Sequence, residues 1–324
     1  MRNFLQYNLG GLANQVCLMC LVCFSLGSCS RYKQEEPREI TFHIHGLWAR
    51  NAEQVWSVGD EGTILHSTDS GVHWEQQYSG TDSGLLSICG TDSELWAVGS
   101  AGTILHSMDD GKHWRPQDSG TKLQLVSVCT DGSQLWIVGE GGTILHSTDG
   151  EHWSPQNSGT RSLLDSVYRC GSQLWTAGEN GIVLYSADGG QNWIPQTSGV
   201  TLGLRSIYAS GSEVWTVGNL GTILHYVAGD ENWQPLMSGT EETLIAICGT
   251  GTQLWTVGTD GTILYSSDGG QKWLPQKSQT AQHLLTVCAV GSKLWSGGYG
   301  GTILHTVDGG RSWHQQKVEG PPSG

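Results

Sequence analysis

Residues Gly261 to Trp273 read GTILYSSDGGQKW, and the same text returns as GTILHSMDDGKHW from Gly102 to Trp114 and as GTILHTVDGGRSW from Gly301 to Trp313. Seven copies are present. A Leu-Trp-x-Val-Gly marker precedes most of them, with its tryptophan at 56, 96, 136, 175, 215, 255 and 295. The steps between these tryptophans are 40, 40, 39, 40, 40 and 40 residues. A second series, Trp74, Trp114, Trp153, Trp193, Trp233, Trp273 and Trp313, keeps the same step. A fixed period of this length signals a repeat architecture, which overrides any estimate of domain number from the 324-residue length.

One repeat, residues 85–121, reads as four short strands. Leu85–Cys89 is apolar, Glu94–Val98 follows a turn cluster, Thr103–Ser107 follows a Gly-x-x-Gly hairpin, and His113–Gln117 closes the unit. The hairpin's last glycine recurs in every copy. It suggests a type I turn followed by one left-handed residue. Four antiparallel strands in 40 residues make one propeller blade, so the chain is predicted to be all-β, a seven-bladed β-propeller over 40–318. Pro116, Pro155, Pro195, Pro235 and Pro275 fall two residues after the second tryptophan, which marks the fourth strand as an outer edge. The first and seventh repeats carry Gln76 and Gln315 there, so the ring is expected to close between them, with Ile40–Phe42 able to contribute to the seam.

The first 28 residues differ in kind. Arg2 is followed by the apolar run VCLMCLVCFSL at 16–26 and then Leu26-Gly27-Ser28-Cys29. This suits a secretory signal of the lipoprotein type, with Cys29 as the lipidated first residue; an ordinary signal peptide or an uncleaved anchor is the alternative. Residues 29–39 form a polar tether reaching about 35 Å at most, and 319–324 a flexible tail. The expected location is therefore exported and membrane-anchored. Net charge is −14 with 14% charged residues, which argues against nucleic acid and against a polybasic membrane surface.

Of nine cysteines, Cys17, Cys20 and Cys23 belong to the signal. Cys89, Cys129, Cys248 and Cys288 each stand seven residues before a first tryptophan. Equivalent slots of neighbouring blades should be too distant for a disulfide, so these read as apolar filling.

The turn before the second tryptophan reads Ser-x-Asp-x-Gly-x-x-Trp, with Asp69, Asp109, Asp149, Asp188, Asp268 and Asp308 at its centre. The third copy is one residue short, and the fifth has Ala228 in place of the aspartate. Asp is expected to collect turn amides, Gly to relieve the backbone, and Trp to fold back on the sheet. Loss in one blade without loss of the repeat points to a structural role; calcium ligation is the competing reading. The motif matches the Asp box (BNR repeat) of bacterial neuraminidases. The whole array, GTIL strand and Asp-box turn in seven copies, resembles the photosystem II assembly/stability factor family. That resemblance implies a seven-bladed propeller, often lipid-anchored in cyanobacteria, that binds a nascent photosystem subunit through a basic patch. No matching cluster of Lys and Arg stands in this sequence, so the architecture and a protein-binding role carry over without a named partner.

Catalytic residues are not expected. The sialidase Arg-Ile-Pro motif is absent, and no repeat carries a long insertion. No cofactor or metal is implied. His66, His106, His146, His225 and His305 share one slot, with Tyr185 and Tyr265 in the other two. They are expected to stack between blades, since their radius is too large for one ion.

Disagreement between repeats is the better guide to function. Hairpin tips and blade-to-blade connections should emerge on one face, opposite the Asp boxes. Asp60, Glu61, Lys122, Leu123, Arg161, Leu163, Leu202, Leu220 and Tyr299 are its binding candidates. Asp165 and Arg205 replace an apolar residue on the first strands of adjacent blades and are predicted to pair near the central channel. The expectation is a monomeric, non-catalytic scaffold for another envelope or membrane protein. A carbohydrate-binding propeller is the alternative, and a sialidase-like glycoside hydrolase ranks third.

Overall fold

The computed structural model describes residues 42–316. The expected signal with its three cysteines, the lipidation site Cys29, the tether, Ile40 and the tail lie outside these residues. Within them, seven four-stranded antiparallel sheets follow one another, each drawn from one unbroken run: 44–77, 85–117, 125–156, 164–196, 204–236, 244–275 and 284–316. Strand order in every sheet is sequence order. This is a seven-bladed β-propeller, and the runs are referred to as blades 1 to 7.

The second strand of each blade is the buried one. In blade 2 all five residues of Leu95–Gly99 are buried, because both faces of a blade meet neighbours and the strand reads largely apolar, with a buried Ser or Thr at its middle in five blades. The fourth strand, Arg115–Gln117, is exposed at its first two positions and forms the rim, with Pro116 opposite Leu105. The ring closes without strand exchange. Blade 1 meets blade 7 through a side-chain cluster of Ile44, Leu47, Val55, Leu65, Trp74, Trp295 and Ile303, with Phe42 packed on it.

Buried backbone and indole donors need acceptors, and neighbouring blades supply them. On the channel side, Ser87, Ser127, Ser166 and Ser206 each accept a hydrogen bond from a backbone amide one blade on, at 3.2 to 3.3 Å. Nearer the rim, the first tryptophan of five blades donates to the Asp-box loop of the next blade. Trp96 reaches the Gly150 carbonyl at 3.2 Å and Trp215 that of Gly269 at 3.1 Å. At the closing seam, Trp295 donates to the Ser70 carbonyl at 2.8 Å, and Lys293 Nζ reaches the Ala52 carbonyl and Ser70 Oγ. Between blades 1 and 2, Arg50 lies over the Trp56 ring and pairs with Asp110 at 2.8 Å.

Two expectations about the repeat are corrected. The hairpin is not a type I turn with one left-handed residue. Both central residues are left-handed, as at Ala101 (φ 55) and Gly102 (φ 72), and the Thr103 amide donates to the Ser100 carbonyl at 3.1 Å. That is the mirror-image type I′ turn, which follows the twist of the flanking strands. Its second position must be glycine for a further reason: a Cβ at Gly102 would collide with the Thr121 carbonyl oxygen of the connection to the next blade.

The second correction concerns the histidines, which stack within a blade and not between blades. His66 is the cross-strand partner of Trp56, and their rings lie 4.1 Å apart at 6°. The same pairing joins His106 to Trp96 and His225 to Trp215, while Tyr265 lies tilted against Trp255. Burial pushes His66, His225 and His305 below the ordinary imidazole value, which favours the neutral ring in these stacks. Cys89, Cys129, Cys170, Cys248 and Cys288 are free thiols.

Candidate functional site

In an antiparallel blade, alternate turns fall at opposite ends. Hairpin tips and blade-to-blade connections therefore share one face, and the Asp boxes take the other. The tip of blade 2 shows the pairing directly: the Ser100 amide donates to the Gly84 carbonyl of the preceding connection at 2.9 Å.

On the Asp-box face the carboxylates are occupied by their own turns. Asp109 accepts from Ser107 Oγ at 3.0 Å, from the His113 amide at 2.9 Å and from the His113 ring at 2.6 Å. These bonds, the ring first, hold its carboxyl down at about 2. Asp188 is held at about 2 chiefly by the Asn192 side chain. Asp69, Asp149, Asp268 and Asp308 repeat the arrangement with local donors. Among the described residues, no group of three or more His, Cys, Asp or Glu side chains is placed to hold a metal ion.

The variable face gathers some of its candidates and scatters others. Leu123, Arg161 and Leu163 come together in a cavity of about 390 Å³ between blades 3 and 4, closed by Glu140, Gly141 and Glu179. Lys122 is exposed beside this cavity without lining it. Leu202 is half-buried, while Leu220 is 65% exposed at the tip of blade 5. Leu220 also has φ 53, a left-handed conformation that a leucine adopts at a cost.

Tyr299 stands apart at the seam, its ring 4.1 Å from His43 and nearly parallel to it. Asp60 is engaged there too, accepting from the His43 amide at 2.9 Å and paired with His45 Nε2 at 2.7 Å. Glu61 beside it is exposed. The nine candidates are thus two groups: a cavity-and-tip sector on blades 3 to 5, and a seam group whose polar atoms are largely committed to blade 1.

Between them opens the central channel, about 440 Å³, walled by first-strand residues. Its lining includes Leu86, Val126, Ile245 and Leu285, interrupted by His45, Asp165 and Arg205. Arg205 Nη1 donates to Asp165 Oδ1 at 3.2 Å, and Arg205 Nε donates to Asn219 Oδ1 at 3.0 Å. Asn219 immediately precedes Leu220, so the channel pair is tied to the strained tip. Asp165 Oδ2 is buried and has no donor among the described residues. Burial pushes this carboxyl up to about 6, against the pull of Arg205.

Sequence reading passed over three participants: Glu140 and Glu179, which rim the cavity, and Asn219, which orients Arg205. All three were visible as tip residues. What marks them is their approach to connections one blade away, and the repeat alignment does not report that.

With this geometry in place, the chain can be set beside known proteins. The family described as photosynthesis system II assembly factor YCF48 matches residues 85–155 and 227–322, about half the chain. Curated protein sequences yield no match. Among solved structures, YCF48 bound to D1 peptide superposes with a TM-score of 0.71 at 20% identity, over 83% of this chain and 92% of that one. YCF48 from Cyanidioschyzon merolae gives 0.69 at 17% identity, over 83% and 97%. The GH74 xyloglucanase from Xanthomonas campestris gives 0.70 at 13% identity, over 84% and 53%. Likeness at these identities shows a common fold, which binding proteins and enzymes share.

Proposed function

Because the chain belongs to the photosynthesis system II assembly factor YCF48 family, we propose that it is a non-catalytic scaffold that binds another protein through blades 3 to 5 of its variable face. The observation that carries this reading is the joining of three sequence irregularities into one surface. The Leu123–Leu163 cavity, the Asp165–Arg205 pair and the Leu220 tip occupy adjacent blades. The structure of YCF48 with a D1 peptide supports a peptide or protein as the class of ligand.

The partner in this proposal is an envelope or membrane protein. It would be met by a monomer held at the membrane through a lipid on Cys29. Incorporation of an alkyne-tagged fatty acid by the parent and not by Cys29→Ala tests the anchor separately. A glycan ligand would call for open aromatic faces. Tyr299, the aromatic of the variable loops, already stacks on His43, which leaves the carbohydrate reading second.

The test is in-cell cross-linking of the tagged full-length chain followed by mass spectrometry, run beside Leu123→Ser/Arg161→Ser/Leu220→Ser. Capture of one envelope protein by the parent and its loss in the variant supports the reading. Equal capture by both, or a glycan-array signal with no captured protein, overturns it.

A further inference from the structure

We infer that the blade 3–5 sector accepts a segment of its partner in which an apolar side chain is flanked by lysine or arginine. This rests on the protein-binding reading and adds the chemistry of the ligand to it.

The cavity supplies the apolar half. Leu123 and Leu163 line it, and Leu123 remains 41% exposed although it belongs to a leucine-lined recess. The Leu220 tip offers a second apolar contact in the same sector. Leu123, in the connection into blade 3, and Leu220, at the tip of blade 5, leave apolar area on one face for a ligand to cover.

Charge supplies the other half. Glu140 and Glu179 stand at the cavity's rim. Glu179 accepts no side-chain hydrogen bond and pairs with no cation among the described residues, and Glu140 accepts only from the Gln124 amide at 3.3 Å. Arg161 is the single cation in the lining. Across the face, the seven hairpin tips carry five carboxylates and no lysine or arginine. An acidic ligand would find Arg161 and Lys122 set against these carboxylates, whereas a basic one finds Glu140 and Glu179 exposed and without a cation partner among the described residues. The chain's net charge of −14 would steer the same kind of segment at long range.

The probe is a fluorescein-labelled dodecapeptide of three Lys-Leu-Gly-Ser units, measured by fluorescence anisotropy against its Glu-Leu-Gly-Ser and Gly-Ser counterparts. The lysine peptide should bind the full chain, and more weakly as salt rises. Glu140→Gln/Glu179→Gln should weaken it about four- to twenty-five-fold, at about two- to fivefold per charge. Leu123→Ser should weaken it independently of salt. Glu151→Gln/Glu231→Gln, on the Asp-box face, should leave it unchanged.

The inference falls if the glutamate peptide binds as well as the lysine peptide. It falls equally if the Asp-box-face variant weakens binding as much as Glu140→Gln/Glu179→Gln, or if neither charged peptide binds. In each of these cases the cross-linking result still decides separately whether this face binds a protein at all.

Discussion

The indole nitrogen of Trp295 and the carbonyl oxygen of Ser70, 225 residues apart, are hydrogen-bonded at 2.8 Å and join the last blade to the first. The same bond joins blades 2 and 3 through Trp96, and blades 5 and 6 through Trp215. It is missing where blade 4 meets blade 5, beside the degenerate Asp box, and where blade 1 meets blade 2, beside an intact one: the indole nitrogens of Trp175 and Trp56 are buried and without an acceptor among the described residues.

This contrast sets the first prediction. Trp295→Phe and Trp175→Phe remove similar apolar volume, but only the first breaks a hydrogen bond. Trp295→Phe should be the more destabilising by about 1 kcal/mol. Urea unfolding of the two variants measures the difference; equal losses would show that the indole bond adds nothing to closure.

The Asp boxes predict acid behaviour. Asp109 and Asp188 sit at about 2 in the folded chain, below the ordinary carboxyl value. The folded protein therefore takes up these protons later than the unfolded chain does. Their contribution is complete above about pH 4 and is lost as pH falls toward 2. Thermal melts across this window should show the parent's midpoint dropping. Asp109→Asn/Asp188→Asn should start lower at pH 5 and show a flatter profile.

The channel carboxyl runs in the opposite sense. Asp165 is pushed up to about 6 by burial, so the folded chain holds its proton more tightly than the unfolded one. That contribution is complete below about pH 4 and is lost as pH rises through 6. The stability of the parent relative to Asp165→Asn should shrink between pH 4.5 and 7. A difference that grows over the same range would mean that the bond to Arg205 outweighs the burial.

At the tip of blade 5, Leu220 holds a left-handed backbone that asparagine tolerates better. Leu220→Asn should raise unfolding stability by about 0.5–1 kcal/mol and lower partner capture in cross-linking. A variant that is more stable and captures the partner as well as the parent would detach this tip from binding.

Much of this was legible because the sequence repeats. The step between tryptophans fixes the blades, and proline two residues past the second tryptophan marks the rim. The Asp165–Arg205 contact was readable because two adjacent blades break one apolar slot in opposite senses of charge. The type I′ turn was legible as well, in Gly141-Gly142, Asn180-Gly181, Asp260-Gly261 and Gly300-Gly301, although Glu61, Ala101 and Leu220 at the same position are poor left-handed residues. Other features were not readable for physical reasons. The His66–Trp56 stack follows from cross-strand register, which was fixed only once the turn was known. Tyr299 reads as an open loop aromatic until the chain 256 residues earlier brings His43 against it.

Closure by side chains alone has one last consequence. Every sheet is spelled by a single uninterrupted run, so the genetic unit and the folding unit coincide without offset. A duplicated or deleted unit would arrive with its own four strands, its own tip and its own connection, and no neighbour would be asked to lend a strand. Substitution can therefore rewrite one sector, such as blades 4 and 5, while the remaining units continue to specify the ring.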